Sequence, residues 1–194
     1  MIAVLGYGSL IWDLDCLAPH VEGGWAMKAG PALPMEFSRI SAKRKHGLVV
    51  CLDPVDGVDC ATHAIRSRRH EIEEAATDLA QRERAPLGRI GLVCLRSGAT
   101  AGRLAPIRAA VAAWCRQTGW DGAVWTDLEP NFASAAGQPF SVARGLDYLR
   151  DLSGESRAEA VRYIACAPSQ TDTPLRRALA GRDWWEEARR EIGV

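Results

Sequence analysis

The change in apolar spacing along the chain constrains its fold more than any other sequence feature. In the first third, short apolar or alternating runs are separated by glycines and prolines, and such runs predict β-strands. The runs lie at residues 2 to 6, 25 to 29, 35 to 41, 47 to 52 and 60 to 66. From Arg69 onward, apolar residues recur at helical spacing. Strands followed by helices predict an α+β fold in which helices flank a small, barrel-like sheet of mixed or antiparallel strands.

Helix start and stop signals divide the rest of the chain. Pro86 ends a helix predicted over 69 to 83, while Pro106 and Gly119 mark the first turn and the end of a second helix over 104 to 118. The remaining predictions are a strand over 89 to 96 and helices over 139 to 152, 156 to 166 and 174 to 191. No repeat, low-complexity tract or linker divides the chain, so we expect a single domain over residues 1–194.

The charge balance argues against a polyanionic partner. Lysine plus arginine and aspartate plus glutamate both number 24, so the formal net charge is zero, and the chain has no bulk attraction to nucleic acid or to an anionic membrane. No apolar run approaches the ~20 residues of a transmembrane helix. The apolar start of the chain lacks the basic flank of a signal peptide and is interrupted by Gly6. We therefore predict a cytoplasmic protein without nucleic-acid or membrane partners.

The six cysteines are scattered along the chain. They form no Cys-x-x-Cys pair and have no close histidine of the kind that zinc sites use. We expect buried free thiols in a reducing compartment, and neither a metal nor another cofactor.

A glycine-rich loop, Gly6 to Ile11, follows the first predicted strand. It differs from a dinucleotide fingerprint because Ile11 occupies the position of the third glycine and a poor helix opening follows. It also lacks the Gly-x-Ser-x-Gly order of a nucleophile elbow around Ser9. Two glycines can turn consecutive backbone N–H groups toward one point and so hold an anion or an oxyanion. A tight turn without a ligand is the alternative.

The run Leu5-Gly6-Tyr7-Gly8-Ser9-Leu10-Ile11-Trp12 resembles the opening "GYGSLIW" of γ-glutamylcyclotransferases of the ChaC type, which degrade glutathione. In that family the loop follows the first strand and binds the γ-glutamyl part of the substrate. The resemblance implies a γ-glutamylcyclotransferase-like fold and a cofactor-independent transferase or lyase that releases 5-oxoproline. It further implies that Tyr7, Gly8, Ser9 and Leu10 bind a small γ-glutamyl substrate.

A second point of resemblance is the pair Arg82-Glu83 at the end of the first predicted helix. Family members of the ChaC type carry an essential glutamate in such an Arg-Glu pair, so the resemblance makes Glu83 the catalytic residue. The substrate's α-amine would attack its own γ-carbonyl and close a five-membered ring, while one carboxyl group takes up the proton and returns it to the departing nitrogen. On the residues alone, Glu83 could also be an exposed charge at a helix end.

The proposed chemistry sets two expectations for the surroundings of Glu83. The pKa of an ordinary glutamate is too low for an effective base toward an ammonium group. Removal from water raises the pKa of a carboxyl group, so we expect this side chain in a pocket poor in water. Arg82 and Arg84 would oppose proton uptake if they faced the carboxylate, but adjacent residues on a helix do not share a face. We therefore expect both arginines to point away from it.

Further substrate contacts are predicted on a strand and on a late loop. Arg39 lies on a predicted strand and could pair with a substrate carboxylate. Asn131, together with Asp127 and Glu129, belongs to a polar and aromatic loop that could form the rim around the leaving group. A plain structured turn is the alternative for this loop.

The remaining polar and aromatic candidates are given structural roles. Glu71, Glu73 and Glu74 open the first predicted helix and complement its dipole. The four histidines are treated as non-catalytic. The pair Trp184-Trp185 would anchor the last helix to the core or to a second subunit, so a monomer or a homodimer is expected.

After Glu83 the chain departs from the family pattern. A Gly-rich turn containing tyrosine is expected there, whereas this chain reads Arg84-Ala85-Pro86-Leu87-Gly88. Two alternatives to glutathione cleavage therefore stay open. One is a cyclotransferase for γ-glutamyl amines or other conjugates, and the other is a non-catalytic protein that binds an acidic metabolite in a retained pocket.

Overall fold

Strands dominate the first half of the chain and helices the second half in a computed structural model that describes residues 1–194. The strands are β1 (Ile2–Gly6), β2 (Val21–Ala26), β3 (Ala32–Ser41), β4 (Gly47–Leu52), β5 (Val58–Ala61), β6 (His63–Ser67), β7 (Ile90–Cys94), β8 (Thr100–Ala101) and β9 (Gly122–Thr126). The α-helices are α1 (Ile72–Glu83), α2 (Ala105–Thr118), α3 (Phe132–Ala136), α4 (Val142–Asp151), α5 (Gly154–Cys166), α6 (Pro174–Leu179) and α7 (Asp183–Ile192). The predicted α+β class is confirmed.

The strands form two open sheets. The larger sheet has six strands in the order β2-β6-β1-β9-β7-β8, and the smaller one has three in the order β4-β3-β5. In the larger sheet β1 runs parallel to β9 and antiparallel to β6. The expectation of a barrel-like sheet is wrong. A sheet closes into a barrel only when its two edge strands pair with each other, and β2 and β8 lie at opposite ends of the strand order. Here β8 has only two residues, and the pairing of β2 shifts register between Glu22 and Ala26.

The chain divides into two compact units, each built from two separated stretches of sequence. The first comprises Met1–Leu33 and Ala61–Leu128, and the second Pro34–Cys60 and Glu129–Val194. The six-stranded sheet, α1 and α2 belong to the first unit, and helices α3 to α7 to the second. One domain over residues 1–194 stays a prediction.

In the first unit, α1 packs against β1 and β9. Apolar residues of α1 recur at three- and four-residue intervals and meet the buried side chains of the sheet. The helix ends at Glu83, where the N–H of Ala85 donates to the carbonyl of Ala80 at 3.1 Å and Arg84 adopts a left-handed φ of 52°. Pro86 then prevents continuation. The predicted end of this helix at residue 83 is confirmed, although its start lies at Ile72 rather than at 69.

In the second unit, α5 packs on β4, and α6 and α7 contact α4 and α5 respectively. The sequence predicts one helix over 174 to 191, but the structure has two, α6 and α7. The break contains Gly181 with a φ of +75°, a left-handed conformation that ends a helix. Apolar spacing continues through this break, so the spacing alone predicts a longer helix than the one that forms.

Smaller differences concern the strands and the thiols. The strand predicted over 60 to 66 is split into β5 and β6 at Thr62, whose hydroxyl donates to the carbonyl of Pro31 at 2.7 Å. The strand predicted at 25 to 29 is found at Val21–Ala26, and β9 lies in a segment for which no strand was predicted. All six cysteines are free, and four are buried, but Cys16 and Cys166 are exposed. None of the helices has the length and apolar character that a membrane span requires.

Candidate functional site

The glycine-rich loop begins where β1 ends. A Cβ atom added to Gly6 would lie 2.6 Å from the ring of Trp25, so any larger residue would force that ring to move. The chain then forms a short 3₁₀ helix, Ser9–Ile11, which Gly8 precedes. Three backbone hydrogen bonds tighten it. The N–H of Ile11 donates to the carbonyl of Gly8 at 3.1 Å, and the N–H groups of Trp12 and Asp13 donate to the carbonyl of Ser9 at 3.3 and 2.9 Å. The loop is therefore a defined turn with its own backbone hydrogen bonds.

Tyr7 ties this loop to the neighbouring parallel strand. Its side chain is buried, and its hydroxyl donates to the carbonyl of Thr126 at the end of β9. A hydroxyl has a single hydrogen to donate. The hydrogen of the Tyr7 hydroxyl is therefore directed at the protein's own backbone, and substrate binding by Tyr7 stays a prediction.

The other loop residues are also buried. Leu10 packs in the hydrophobic core together with residues of α1, so its side chain anchors the loop and only its backbone is available to a ligand. Gly8 and Ser9 are buried as well. The Ser9 hydroxyl oxygen lies 3.3 Å from a terminal nitrogen, Nη2, of Arg82, which donates to it.

Arg82 connects the loop to the predicted catalytic carboxylate. Its side chain is 1% exposed. The Nη2 group donates to Ser9 Oγ and to the carbonyl of Asp13, and it lies 3.9 Å from the carboxylate of Asp13. The Nη1 group donates to Glu83 Oε1 at 2.9 Å. One guanidinium group thus contacts both elements of the site that the sequence predicts.

Glu83 is the last residue of α1, and 15% of its side chain is exposed. The expectation that Arg82 points away from Glu83 is wrong. Adjacent residues on a helix diverge by about 100°, but an arginine side chain is long enough to bring its terminal nitrogens back to a neighbour at the helix end. Arg84, in contrast, is 72% exposed and lies 4.0 Å from Asp15.

Arg39 and Asn131 lie in the second unit and bind backbone groups there. Arg39 donates to the carbonyl of Glu129 at 2.5 Å. The side-chain amide of Asn131 accepts from the N–H of Ile40 at 2.7 Å and donates to the carbonyl of the same residue at 3.0 Å. Both ends of the Asn131 amide therefore help to hold β3, and its contact with the leaving group stays a prediction.

Asp127, a candidate for the rim around the leaving group, is buried. The side chain is 1% exposed. It accepts a hydrogen bond from the N–H of Arg103, and the Nε of Arg103 lies 3.6 Å from its other oxygen. These contacts with Arg103 hold the chain that follows β9, as a structured turn would.

Arg82 is the site residue that the sequence reasoning missed. A signal was present, because Arg82 follows Leu79 at the three-residue interval that also separates Ile72 from Ala75 and Ala76 from Leu79. The buried stripe of α1 therefore extends to this arginine. A charged residue on an apolar stripe needs a buried partner, and the interval alone does not name that partner.

No group of three or more His, Cys, Asp and Glu side chains is arranged to hold a metal ion. Comparisons with models of known protein families, with curated proteins and with solved structures found no match for this chain. The resemblance to the ChaC type therefore depends on residues 5 to 12 and on the pair Arg82-Glu83.

Proposed function

We propose that this chain is a γ-glutamylcyclotransferase-like enzyme, in fold and in activity. It would release 5-oxoproline from glutathione or another γ-glutamyl peptide, with Glu83 as the general acid and base. One observation carries the proposal: the buried guanidinium of Arg82 contacts both Ser9 in the glycine-rich loop and the Glu83 carboxylate. Ser9 lies 73 positions before Arg82 in the sequence, so this contact joins two distant segments of the chain.

The reaction needs one carboxylate and a fixed substrate. A bond forms between the substrate's α-nitrogen and its γ-carbonyl carbon, and the bond from that carbon to the leaving nitrogen breaks. Glu83 accepts the proton that the α-nitrogen loses and passes it to the leaving nitrogen. The balance closes within the substrate, because the leaving amine gains the proton that the attacking amine gave up.

In this proposal the glycine-rich loop binds the substrate. Gly8, Ser9 and Leu10 are fixed by the core and by Arg82, so their backbone groups are ordered before a ligand arrives. An ordered set of donors stabilises an oxyanion without reorganising during the reaction. The partial exposure of Glu83 leaves its carboxylate open to a substrate.

The first test measures product formation directly. Purified protein is incubated with glutathione, with γ-glutamyl dipeptides and with γ-glutamyl amines, and 5-oxoproline is detected by mass spectrometry. We expect product from at least one of these classes, and the preferred class identifies the leaving group. Binding of these compounds without product would instead support the non-catalytic alternative.

The catalytic role of Glu83 is tested by Glu83→Gln, which keeps the shape of the side chain but cannot carry the proton. We expect its rate to fall on the order of 10² to 10⁴, the usual contribution of general acid–base catalysis. Glu73→Gln is the matched control, because Glu73 lies in the first turn of the same helix and is exposed. Full activity of a folded Glu83→Gln variant would remove Glu83 from the mechanism.

A further inference from the structure

Arg82 has a buried cationic group whose two terminal nitrogens serve different parts of the molecule. Nη2 binds the loop, through Ser9 Oγ at 3.3 Å and through the carbonyl of Asp13. Nη1 binds Glu83 Oε1 at 2.9 Å. The two loop contacts flank the short 3₁₀ helix, one at its first residue and the other beyond its last.

We infer that Arg82 is a positioning residue, which clamps the loop from Ser9 to Asp13 and holds Glu83 at a set distance from it. This inference rests on the proposed function for its catalytic consequence, but the clamp itself is a structural property. Arg82 does not itself carry the substrate's proton in this scheme. It acts through Glu83 and through the loop.

Arginine is the residue suited to this task. Its planar guanidinium presents several N–H donors in a rigid fork, so it can bind two groups in a fixed relative geometry. Lysine has one ammonium group, which cannot reach the loop and the carboxylate with the same geometry. Substitution of Arg82 by lysine therefore preserves the charge and removes the fork.

The charges around Arg82 favour this arrangement. The buried guanidinium has the carboxylate of Glu83 at 2.9 Å and that of Asp13 at 3.9 Å. A buried cation is tolerated when carboxylates and backbone acceptors surround it. Asp13 belongs to the loop and Glu83 to α1, so both elements contribute to stabilising the same charge.

The test is amide hydrogen exchange in the wild type, in Arg82→Lys and in Arg84→Lys. We expect Arg82→Lys to accelerate exchange in residues 7 to 13 by about tenfold, since these amides open locally once the clamp is lost. Exchange in β1 and in α2 should stay as in the wild type. Arg84→Lys is the matched control, because Arg84 is adjacent in sequence and 72% exposed, and it should leave exchange in residues 7 to 13 unchanged.

Equal exchange of residues 7 to 13 in the wild type and in folded Arg82→Lys would overturn the inference, and so would acceleration spread evenly over the first unit. If Arg82→Lys does not fold, Ser9→Ala decides. This variant removes one loop acceptor and leaves the contact with Glu83, so it should accelerate exchange in the same segment by a smaller factor. No acceleration in Ser9→Ala would then overturn the inference.

An activity measurement separates this inference from the proposed function. With the best substrate from the product assay, folded Arg82→Lys should lose on the order of 10² in kcat, the effect of misplacing a catalytic group, while Arg84→Lys should keep its activity. Unchanged kcat in Arg82→Lys would overturn the catalytic part of the inference. If the wild type forms no 5-oxoproline, the proposed function fails, and the exchange experiment still decides whether Arg82 clamps the loop.

Discussion

Arg82 and Glu83 are neighbours in sequence but differ in exposure, at 1% and 15%. The arginine side chain is buried at the end of α1, whereas the glutamate side chain is partly exposed to solvent. The two side chains also differ in their partners, because Arg82 donates to Ser9 and to the carbonyl of Asp13 as well as to Glu83. The stability of the two single variants should therefore be unequal.

We predict that Arg82→Met lowers the free energy of unfolding by about 2 to 6 kcal/mol, because it removes the hydrogen bonds to Ser9 and to the carbonyl of Asp13, at about 1 to 3 kcal/mol each. Glu83→Gln keeps an oxygen that can accept from Arg82 and should cost only about 1 kcal/mol. Urea denaturation measures both changes. Equal losses in the two variants would show that Arg82 is not stabilised by the loop beyond its pairing with Glu83.

His63 provides a second prediction at the scale of a residue. Its ring is buried, its Nδ1 accepts from the N–H of Lys28 at 2.9 Å, and burial, followed by the charge of Lys28, lowers its pKa from the usual 6.5. The folded state then binds fewer protons at this site than the unfolded state as the pH falls below about 6.5. Stability from this residue is present above that pH and is lost as the pH decreases toward the lowered pKa of the folded state.

We therefore expect the midpoint of urea unfolding to fall between pH 6.5 and pH 5 in the wild type and to fall less in His63→Asn. The asparagine can supply an acceptor to the N–H of Lys28 but does not titrate. The same series on His70→Asn provides the control, because His70 is not buried. Parallel curves for the wild type and His63→Asn would contradict the assignment.

At the scale of elements, the contact between β7 and β9 depends on the absence of a side chain at Gly91. A Cβ atom added to Gly91 would lie 2.0 Å from Cε2 of Trp125, which is completely buried. Gly91 and Trp125 are directly paired in the two strands. The ring of Trp125 therefore occupies the space above Gly91, and no larger residue fits without displacing it.

We predict that Gly91→Ala destabilises the protein by about 1 to 3 kcal/mol, the usual cost of overpacking a core. Gly88→Ala is the control, because nothing lies within 4 Å of a Cβ atom at Gly88. Thermal unfolding monitored by circular dichroism measures both changes. A Gly91→Ala variant as stable as Gly88→Ala would mean that the Trp125 ring can shift at no cost.

The end of α1 illustrates what element prediction can provide. Pro86 and the apolar spacing place the helix end correctly at Glu83, because both signals are local. The path of the Arg82 side chain is not local, since its partners Ser9 and Asp13 come from a distant part of the sequence. The position of Glu83 could therefore be predicted, and its ion pair could not.

At the scale of the whole molecule, the parallel pairing of β1 with β9 is the long-range contact that most affects the candidate site. It places the end of β1, and hence Tyr7, beside Thr126. Apolar spacing indicates that a segment is buried but does not identify the strand beside it. Because the spacing does not identify strand partners, it predicts a small barrel where the structure has an open six-stranded sheet.

The amino-acid sequence by itself determined the α+β class, the ends of the most regular elements, and the glycine-rich loop with Glu83 as candidate residues. The fold class and the element ends follow from local spacing and from Gly and Pro signals, whereas the loop and Glu83 are candidates because of the resemblance to the ChaC type. Only the tertiary structure decided which strands pair, that Tyr7 and Asn131 bind the protein's own backbone, and that Arg82 joins the loop to Glu83. These outcomes depend on contacts between residues far apart in the chain, whose partners local patterns do not specify.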